Sequence, residues 1–443
     1  MNLIEPKILK GFRDSLPSTE IVRRYLIEKI ENTFRSYGFV PIDTPALEYA
    51  EILLGKGGGE TEKQIYRFND NGQRDVALRF DLTVPFARFT AQHQNELVFP
   101  FKRYHIAKVW RGENTQKGRY REFMQCDFDI IGSDSPAADF EIMLLIRSAL
   151  QALGLDAGIR LNHRGLFNAF LSAIGIETKS VDILRAVDKI AKVGHEETIK
   201  SLGEITGKEN AQKILEYIGA GSAGCADADN GISAYNAVLG RVTQLSGGTS
   251  EMSERMRLIG TFIQDTGAAD SFRFDPSITR GLDYYTGVVF ETFLTEMPDI
   301  GSICSGGRYD NLCGLYTNKA ISGVGSSIGL DRMIAAMESL SKIPDIPGYA
   351  ALAIACVDQG QSGKCQALAE KFRESNIACE VFVEGSRDGL VKQYVSAEKR
   401  GIRWLIIPGQ NPLTDTLSLR DIVKRENHEG LSVSEILKFV NSH

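Results

Sequence analysis

The sequence predicts an α+β body whose sheet is flanked by helices and interrupted by a helical insertion, followed by a small α/β domain with a mostly parallel sheet. Three observations predict it. Phe101–Gly132 reads as two strands joined by a long polar loop. From Val181 to about Gly240 the apolar residues fall on one helical stripe, including Ile183, Leu184, Val187, Ile190 and Ala191. After Ile343-Pro-Asp-Ile-Pro-Gly-Tyr349, strand-like and helix-like runs alternate, as in a parallel sheet.

The elements follow in order. Pro17-Ser18-Thr19 marks a helix start, with Ser18 or Thr19 as cap. Ile21, Tyr25, Ile30 and Phe34 continue the helix, and Gly38 ends it. Pro41 and Pro45 then make an extended edge or interface strand, because proline cannot donate to a ladder. Residues 75–132 mix strands and short helices. Ile159–His163 reads as a strand and Leu166–Ile174 as a helix; strands return at Ser271–Phe274 and Gly287–Phe293, and a helix begins near Leu330. Beyond the linker come an apolar run (Ala350–Cys356), a helix (Cys365–Ser375), a strand (Cys379–Val383), a helix (Gly389–Arg400) and a second apolar run (Trp404–Ile407).

Bulk properties narrow the function. At 443 residues two or three domains are expected. Hydrophobic residues make up 43% and charged residues 24%, as in globular proteins. A net charge of −6 argues against a general polyanion binder, so a nucleic-acid partner would need a localised basic track. The seven scattered cysteines contain no C-x-x-C pair and read as reduced thiols of a cytoplasmic protein. MNLIEPKILKGFRD lacks the apolar core of a signal peptide, and no apolar run approaches the ~18 residues that span a bilayer.

The chemistry concentrates in four places. In the second strand Met124, Cys126, Phe128 and Ile130 face a core, so Phe123, Gln125, Asp127 and Asp129 share the opposite face. Arg111 and Glu113 close the first strand, and the loop adds Lys117, Arg119 and Arg121. Fixed cations at one end and acceptors at the other suit a substrate with phosphates and an amine. Second, Arg79-Phe-Asp81-Leu-Thr83 offers a carboxylate and a hydroxyl for an ammonium group if extended; a turn capping a helix near Pro85 is the alternative. Third, Arg280-Gly-Leu-Asp-Tyr-Tyr285-Thr-Gly287 packs a permanent cation and two phenols between glycines, either in a site or in a hairpin. Fourth, Ser305-Gly-Gly-Arg-Tyr309-Asp310 lets backbone approach a ligand closely, or makes a bulge or turn. Gly323-Val-Gly-Ser-Ser-Ile-Gly-Leu-Asp-Arg332 is a glycine-rich strand entering a helix, with the wrong spacing for a dinucleotide loop. Leu54–Glu60, LGKGGGE, fails the P-loop pattern and reads as a loop over the site or on the surface.

Together these segments resemble the class II aminoacyl-tRNA synthetases, and within them the histidyl-tRNA synthetases. The strand–loop–strand with Arg111 looks like motif 2, the first helix with Gly38 and Pro45 like motif 1, and GVGSSIGLDR with Arg332 like motif 3; RGLDYYTG and SGGRYD are similar to the two histidine signature peptides. The resemblance runs through the whole chain. It implies a catalytic domain over 1–340 on an antiparallel sheet, a helical insertion at about 178–245, a linker at 341–349 and an anticodon-binding domain at 350–443. It implies activation of L-histidine with ATP and transfer to the 3′ end of the cognate tRNA by a homodimer. Arg111, Glu113, Arg119, Phe123 and Arg332 would bind ATP, with Mg2+ bridging phosphates. Asp81, Thr83 and Gln125 would bind the histidine ammonium group; Asp129, Tyr285 and Tyr309 would form the imidazole pocket. Arg111, Arg280 and Gln125 would be catalytic, and no residue is assigned as a metal ligand, the carboxylates that hold magnesium staying open. Gln116 and Lys117 would meet the tRNA acceptor end, and Lys392, Gln393 and Arg403 are candidates in the C-terminal domain. Some relatives carry glutamate where this chain has Asp81 and Asp129. The alternative is a non-catalytic paralogue, the regulatory subunit of ATP phosphoribosyltransferase, which typically lacks the C-terminal domain and loses catalytic positions; this chain keeps Arg111, Arg280, Arg332 and a full tail.

Overall fold

The computed structural model describes residues 3–55, 61–188, 190–221, 231–279, 285–385 and 389–442. They divide into two units, Met1–Arg13 with Leu26–Ile343, and Asp14–Tyr25 with Pro344–His443.

In chain order, α1 (Pro17–Ser36) leads into β1 (Val40–Pro41), β2 (Leu47–Tyr49), α2 (Ala50–Leu54), β3 (Arg67–Asn69), β4 (Asp75–Leu78) and α3 (Thr83–His93). The strands β5 (Phe101–Trp110) and β6 (Glu122–Ile131) follow, then α4 (Pro136–Ala152), β7 (Ala157–His163) and α5 (Arg164–Ala173). Helices α6 (Ser180–Asp188), α7 (Ile190–Thr206), α8 (Lys208–Ile218), α9 (Ile232–Leu245) and α10 (Glu251–Asp265) carry the helical run past residue 245. The chain returns through β8 (Phe272–Phe274), β9 (Val288–Leu294), β10 (Cys304–Arg308), β11 (Gly323–Gly329) and α11 (Leu330–Ser339).

Eight of these strands form one sheet in the order β1-β5-β6-β11-β10-β9-β7-β8. The pairings from β5 to β7 are antiparallel, and only the outermost ones, β1 with β5 and β7 with β8, are parallel. Proline-containing β1 sits at the edge, as its missing donor requires. The helix α1 starts at Pro17 itself, so Ser18 and Thr19 lie in its first turn rather than capping it; proline's fixed φ and absent N–H suit that position.

Register decides what each face carries. One row runs Tyr104, Phe128, Ser326, Gly306, Phe290; the next on the other face runs Arg103, Asp129, Gly325, Gly307, Val289. The first face is the core side. Phe128 is fully buried, with its ring 4.7 Å from that of Phe34 on α1 and 6.3 Å from Phe39. Cys126 and Ile130 are buried beside it, whereas Met124, nearer the strand start, is half-buried. Apolar burial of this kind drives folding and leaves the second face free for polar side chains.

The second unit holds β12 (Leu352–Ile354), α12 (Ser362–Arg373), β13 (Cys379–Val381), α13 (Leu390–Lys399), β14 (Trp404–Ile407), β15 (Leu417–Asp421), β16 (Glu426–Leu431) and α14 (Val433–Asn441). Its sheet order is β13-β12-β14-β15-β16, parallel over the first three strands and antiparallel over the last two. Gln393, a candidate nucleic-acid contact from sequence, is instead a buried brace. Its amide nitrogen donates to Cys356 O (2.8 Å) and Glu384 O (2.7 Å), and its oxygen accepts from Cys356 N (3.0 Å). Arg403 pairs with Asp421 at 3.2 Å and lies over the Trp404 ring.

Because Phe128 joins the core and lies between Asp127 and Asp129, Phe128→Ala should cost about 3–5 kcal/mol of stability in chemical denaturation. A loss below about 1 kcal/mol would show that this contact does not hold the strand.

Candidate active site

The polar face of β6 is the floor of the site. Asp127 and Asp129 are 1% and 2% exposed, so both carboxylates sit in the protein interior and require partners. The chief partner is Arg103, fully buried on the neighbouring strand directly opposite Asp129. Its Nη2 lies 2.6 Å from Asp129 Oδ2, and its guanidinium stacks 4.1 Å from the centre of the Phe86 ring. Tyr309 Oη donates to Asp129 Oδ1. Burial pushes Asp129 up, and Arg103 and then Tyr309 oppose it. Burial, reinforced by Asp129, pushes the Tyr309 phenol far up, so it remains a neutral donor.

The glycines of β10 and β11 make room for this arrangement. A Cβ on Gly325 would stand 1.8 Å from Asp129 Oδ1, and one on Gly323 would stand 2.5 Å from the Tyr309 ring. A Cβ on Gly307 would meet Tyr285 Cδ1 at 2.9 Å. The spacing that fails as a dinucleotide motif thus matches the side chains of the adjacent strands. Only a residue without Cβ leaves that volume empty.

Asp81 is not on an extended segment. Its Oδ1 accepts from Val84 N at 3.2 Å, capping α3 at the turn that the sequence left as the alternative. Thr83 opens that helix and directs Oγ1 toward Asp127 Oδ2 at 3.5 Å. The cap uses one Asp81 oxygen; the other, Oδ2, is buried with no hydrogen-bond partner among the described residues. Gln125 donates to Ser327 Oγ at 2.7 Å, while its own oxygen is likewise unpartnered. Burial pushes Asp81 up to about 6, against the pull of Val84 N, Arg111 and Arg103. Burial pushes Asp127 up to about 7, against Arg103. Asp81 is therefore within the field of both Arg103 and Arg111, which ties the floor to its cationic end.

At that end Arg111 Nε donates to Phe80 O at 2.9 Å, and its guanidinium lies 5.1 Å from the centre of the Phe123 ring. Residues Gln116 and Arg119 bridge across a tight turn, with Gly118 at φ +73°. The turn packs on α11: a Cβ on Gly118 would stand 3.3 Å from Arg332 Cα. Arg119 reaches Glu113 at 3.9 Å, Lys117 donates to Ser339 Oγ at 2.9 Å, and Arg332 donates to Ser302 O at 2.6 Å. Asp331 fixes the start of α11 by accepting from Met124 N (2.7 Å) and from Arg13, which stacks on Tyr120.

The structure thus gathers Asp81, Thr83, Gln125, Asp129 and Tyr309 at one end and Arg111, Glu113, Arg119, Phe123 and Arg332 at the other, on a continuous stretch of sheet. Tyr285 packs at the edge of the same cluster as Tyr309, and Arg164 donates to its carbonyl. Arg280 and the LGKGGGE glycines at 57–59 lie outside the described residues. Sequence reasoning missed Arg103 and Asp331, and it placed Asp127 on the right face without a role. The signal for Arg103 was present: in a hairpin of this register it stands opposite Asp129.

An antiparallel sheet whose one face holds a polar floor between a carboxylate niche and an arginine-rich end, with a glycine-rich strand running into a helix, defines the catalytic body of a class II aminoacyl-tRNA synthetase. Residues 11–333 match the family described as Histidyl-tRNA synthetase, and residues 351–443 match the one described as Anticodon binding domain. The chain is 49% identical to a histidine–tRNA ligase of Treponema denticola, over 100% of this chain and 99% of that protein. Its fold matches the crystal structure of histidyl-tRNA synthetase from Nostoc sp. PCC 7120 with a TM-score of 0.85 and 29% identity, covering 99% of this chain and 100% of that one. A Bacillus halodurans structure titled as an ATP phosphoribosyltransferase regulatory subunit/histidyl-tRNA synthetase shares the fold at a TM-score of 0.72 and 22% identity, over 90% of this chain and 97% of that one. The chain belongs to the histidyl-tRNA synthetase family.

Gly325→Ala should displace Asp129, because the added methyl overlaps its carboxylate. The expected result is a loss of about 3 kcal/mol or more of stability, as for a buried polar pair left broken, read as a lowered thermal unfolding midpoint. An unchanged midpoint would refute this placement.

Proposed function

We infer that this chain is a histidine–tRNA ligase: it activates L-histidine with ATP to histidyl-adenylate and transfers histidine to the 3′ end of tRNA(His). The observation that carries the reading is the Asp129–Tyr309–Arg103 niche, on the same sheet face as the arginine-rich end, in a chain of this family. The regulatory reading has less support, since the curated relatives align over the full chain as ligases and residues 351–443 match an anticodon-binding domain.

The roles are those the resemblance implies, and the charges of the residues support them. The histidine carboxylate attacks the α-phosphorus, and pyrophosphate leaves. Negative charge builds at phosphorus, where Arg111 and Arg280 stabilise it as permanent cations. Phe123 supplies the flat surface for adenine, Glu113 accepts from its amino group, and Arg119 and Arg332 hold the outer phosphates. Asp81, Thr83 and Gln125 take the ammonium group. Asp129 and Tyr285 take the ring nitrogens, with Tyr309 orienting Asp129. The terminal ribose hydroxyl of tRNA then attacks the acyl carbon and gives up its proton, the acyl–phosphate bond breaks, and AMP leaves carrying the bridging oxygen. Two hydrogen-bonded ring nitrogens reject other side chains, because a wrong ligand leaves buried groups unpaired at ~1–3 kcal/mol each.

Among the described residues no group of three or more His, Cys, Asp or Glu side chains could hold a metal ion, and magnesium needs only one or two carboxylates beside substrate phosphates. The expected magnesium belongs with the phosphates of ATP, and no step is assigned to it. Gln116 and Lys117, at the hairpin tip, face the tRNA acceptor end, and residues 350–443 read the anticodon. A homodimer is supported by the edge position of β1 and by exposed Val40, Tyr49 and Phe68 on nearby segments. Among the described residues no helix is long and apolar enough to cross a membrane. Six described cysteines are free and buried, and such unpaired thiols support a cytoplasmic location.

ATP–pyrophosphate exchange should depend on histidine and be absent with glutamine or proline; no exchange at high enzyme concentration would favour a regulator. Arg280→His should abolish exchange while changing histidine affinity far less, and equal losses in both would remove its assigned role. Sedimentation should show a dimer, whereas a stable monomer would contradict the assembly.

A further inference from the structure

Besides Asp129 Oδ2, which faces Arg103, three buried acceptor atoms share the floor of the site without a hydrogen-bond partner among the described residues: Asp81 Oδ2, Gln125 Oε1 and Asp127 Oδ1. An ammonium group offers three donors. Two of these residues are already assigned to the histidine ammonium group; Asp127 is the third, and it lies between Gln125 and Asp129 on the same face of β6. Its second oxygen faces Thr83 Oγ1 at 3.5 Å.

A third carboxylate here creates an electrostatic difficulty. Asp81, Asp127 and Asp129 are all at most 2% exposed and influence one another. Like charges in such a space cannot all ionise unless a cation stands among them. Arg103 is that cation: it is fully buried, it contacts Asp129, and its field opposes protonation of all three carboxylates. Its Nε and Nη1 have no hydrogen-bond partner among the described residues, so its role here is chiefly as a charge. Arg79, also buried, adds its charge near Asp127. His105, beside Asp127, is pushed down to about 3 by burial, Arg103 and Arg79, and is neutral above that pH; its Nε2 lies 3.0 Å from Asp43. Ser327 and Tyr309 are neutral, and Arg111 acts on Asp81 from the opposite end.

We propose that Arg103 is a positioning residue that holds Asp129 toward the imidazole niche and balances Asp127, making Asp127 a third acceptor for the histidine ammonium group. The proposal rests on the histidine-binding reading above. The sign of its pH dependence follows. The cationic ammonium binds the ionised carboxylates, and in the ligand-free protein Asp81 and Asp127 titrate near 6 and near 7. Histidine affinity should therefore rise with pH through that window. Removing Arg103 raises the carboxylate pKa values further and moves the rise to higher pH.

The test is calorimetric titration of full-length enzyme with histidine from pH 5.5 to 9, for wild type, Arg103→Met, Arg103→Lys, Asp127→Asn and the Arg103→Met/Asp127→Asn pair. Comparing each variant with wild type cancels the titration of histidine itself. ATP affinity is measured alongside as a control for folding. Arg103→Met should weaken histidine binding about 100-fold at pH 7, shift its pH dependence upward and leave ATP affinity within about threefold, a change of roughly 0.6 kcal/mol. Asp127→Asn should weaken histidine binding by about 10-fold or more. The double variant should bind histidine more tightly than Arg103→Met alone, because removing both charges restores the balance, and Arg103→Lys should keep the wild-type pH dependence. Losses that multiply in the double variant with an unshifted pH dependence would overturn the proposal, as would loss of ATP binding in parallel. Failure of wild type to bind histidine would refute the underlying functional reading instead.

Discussion

A strand can serve a binding site and a hydrophobic core at once only while its side chains alternate without a slip, and β6 does this from Gln125 to Ile131. Phe128 lies in the aromatic layer against α1 while its neighbours Asp127 and Asp129 lie on the opposite face. Moving the register by one residue would bury the aspartates among phenylalanines and expose Phe128 to the substrate. The ladders to β5 and β11 guard against this on both sides, since each pairs with β6 over at least seven residues. The glycines of β11 then give the carboxylates somewhere to point.

Burying acidic groups in this space has an electrostatic cost that hydrogen bonds alone do not offset. The fold meets it chiefly with Arg103, placed across the ladder from Asp129 and covered by Phe86, with buried Arg79 adding its charge near Asp127. At the other end the cations are partly exposed: Arg111 and Arg332 each donate to a backbone carbonyl and Arg119 stands 3.9 Å from Glu113. One end of the sheet face thus carries buried carboxylates around Arg103, and the other carries partly exposed arginines.

Much of this was legible in the sequence for physical reasons. The alternation of Met124–Ile130 is a direct readout of strand period, and Pro41 dictates an edge position. Asp81 was harder, because Asp-Leu-Thr can be strand or helix cap, and only the packing of α3 decides between them. Arg103 is invisible to a single-strand reading: its significance depends on which residue it faces across the hairpin. Gly323 and Gly325 likewise look like a loop motif until Tyr309 and Asp129 occupy their missing side-chain volume. Gln393 looked like a polar contact surface, yet a primary amide can also satisfy a buried backbone, and here it does. The β15–β16 hairpin escaped notice because Glu426–Leu431 is a largely polar edge with no apolar run.

The most direct measurement is a crystal structure of the enzyme with histidine and a non-hydrolysable ATP analogue. The account predicts the imidazole between Asp129 and Tyr285, the ammonium group against Asp81 and Gln125, and the folded-back phosphates held by Arg111, Arg280 and Arg332 on one side of the sheet. Histidine bound away from Asp129, or those three arginines around separate hollows, would contradict it.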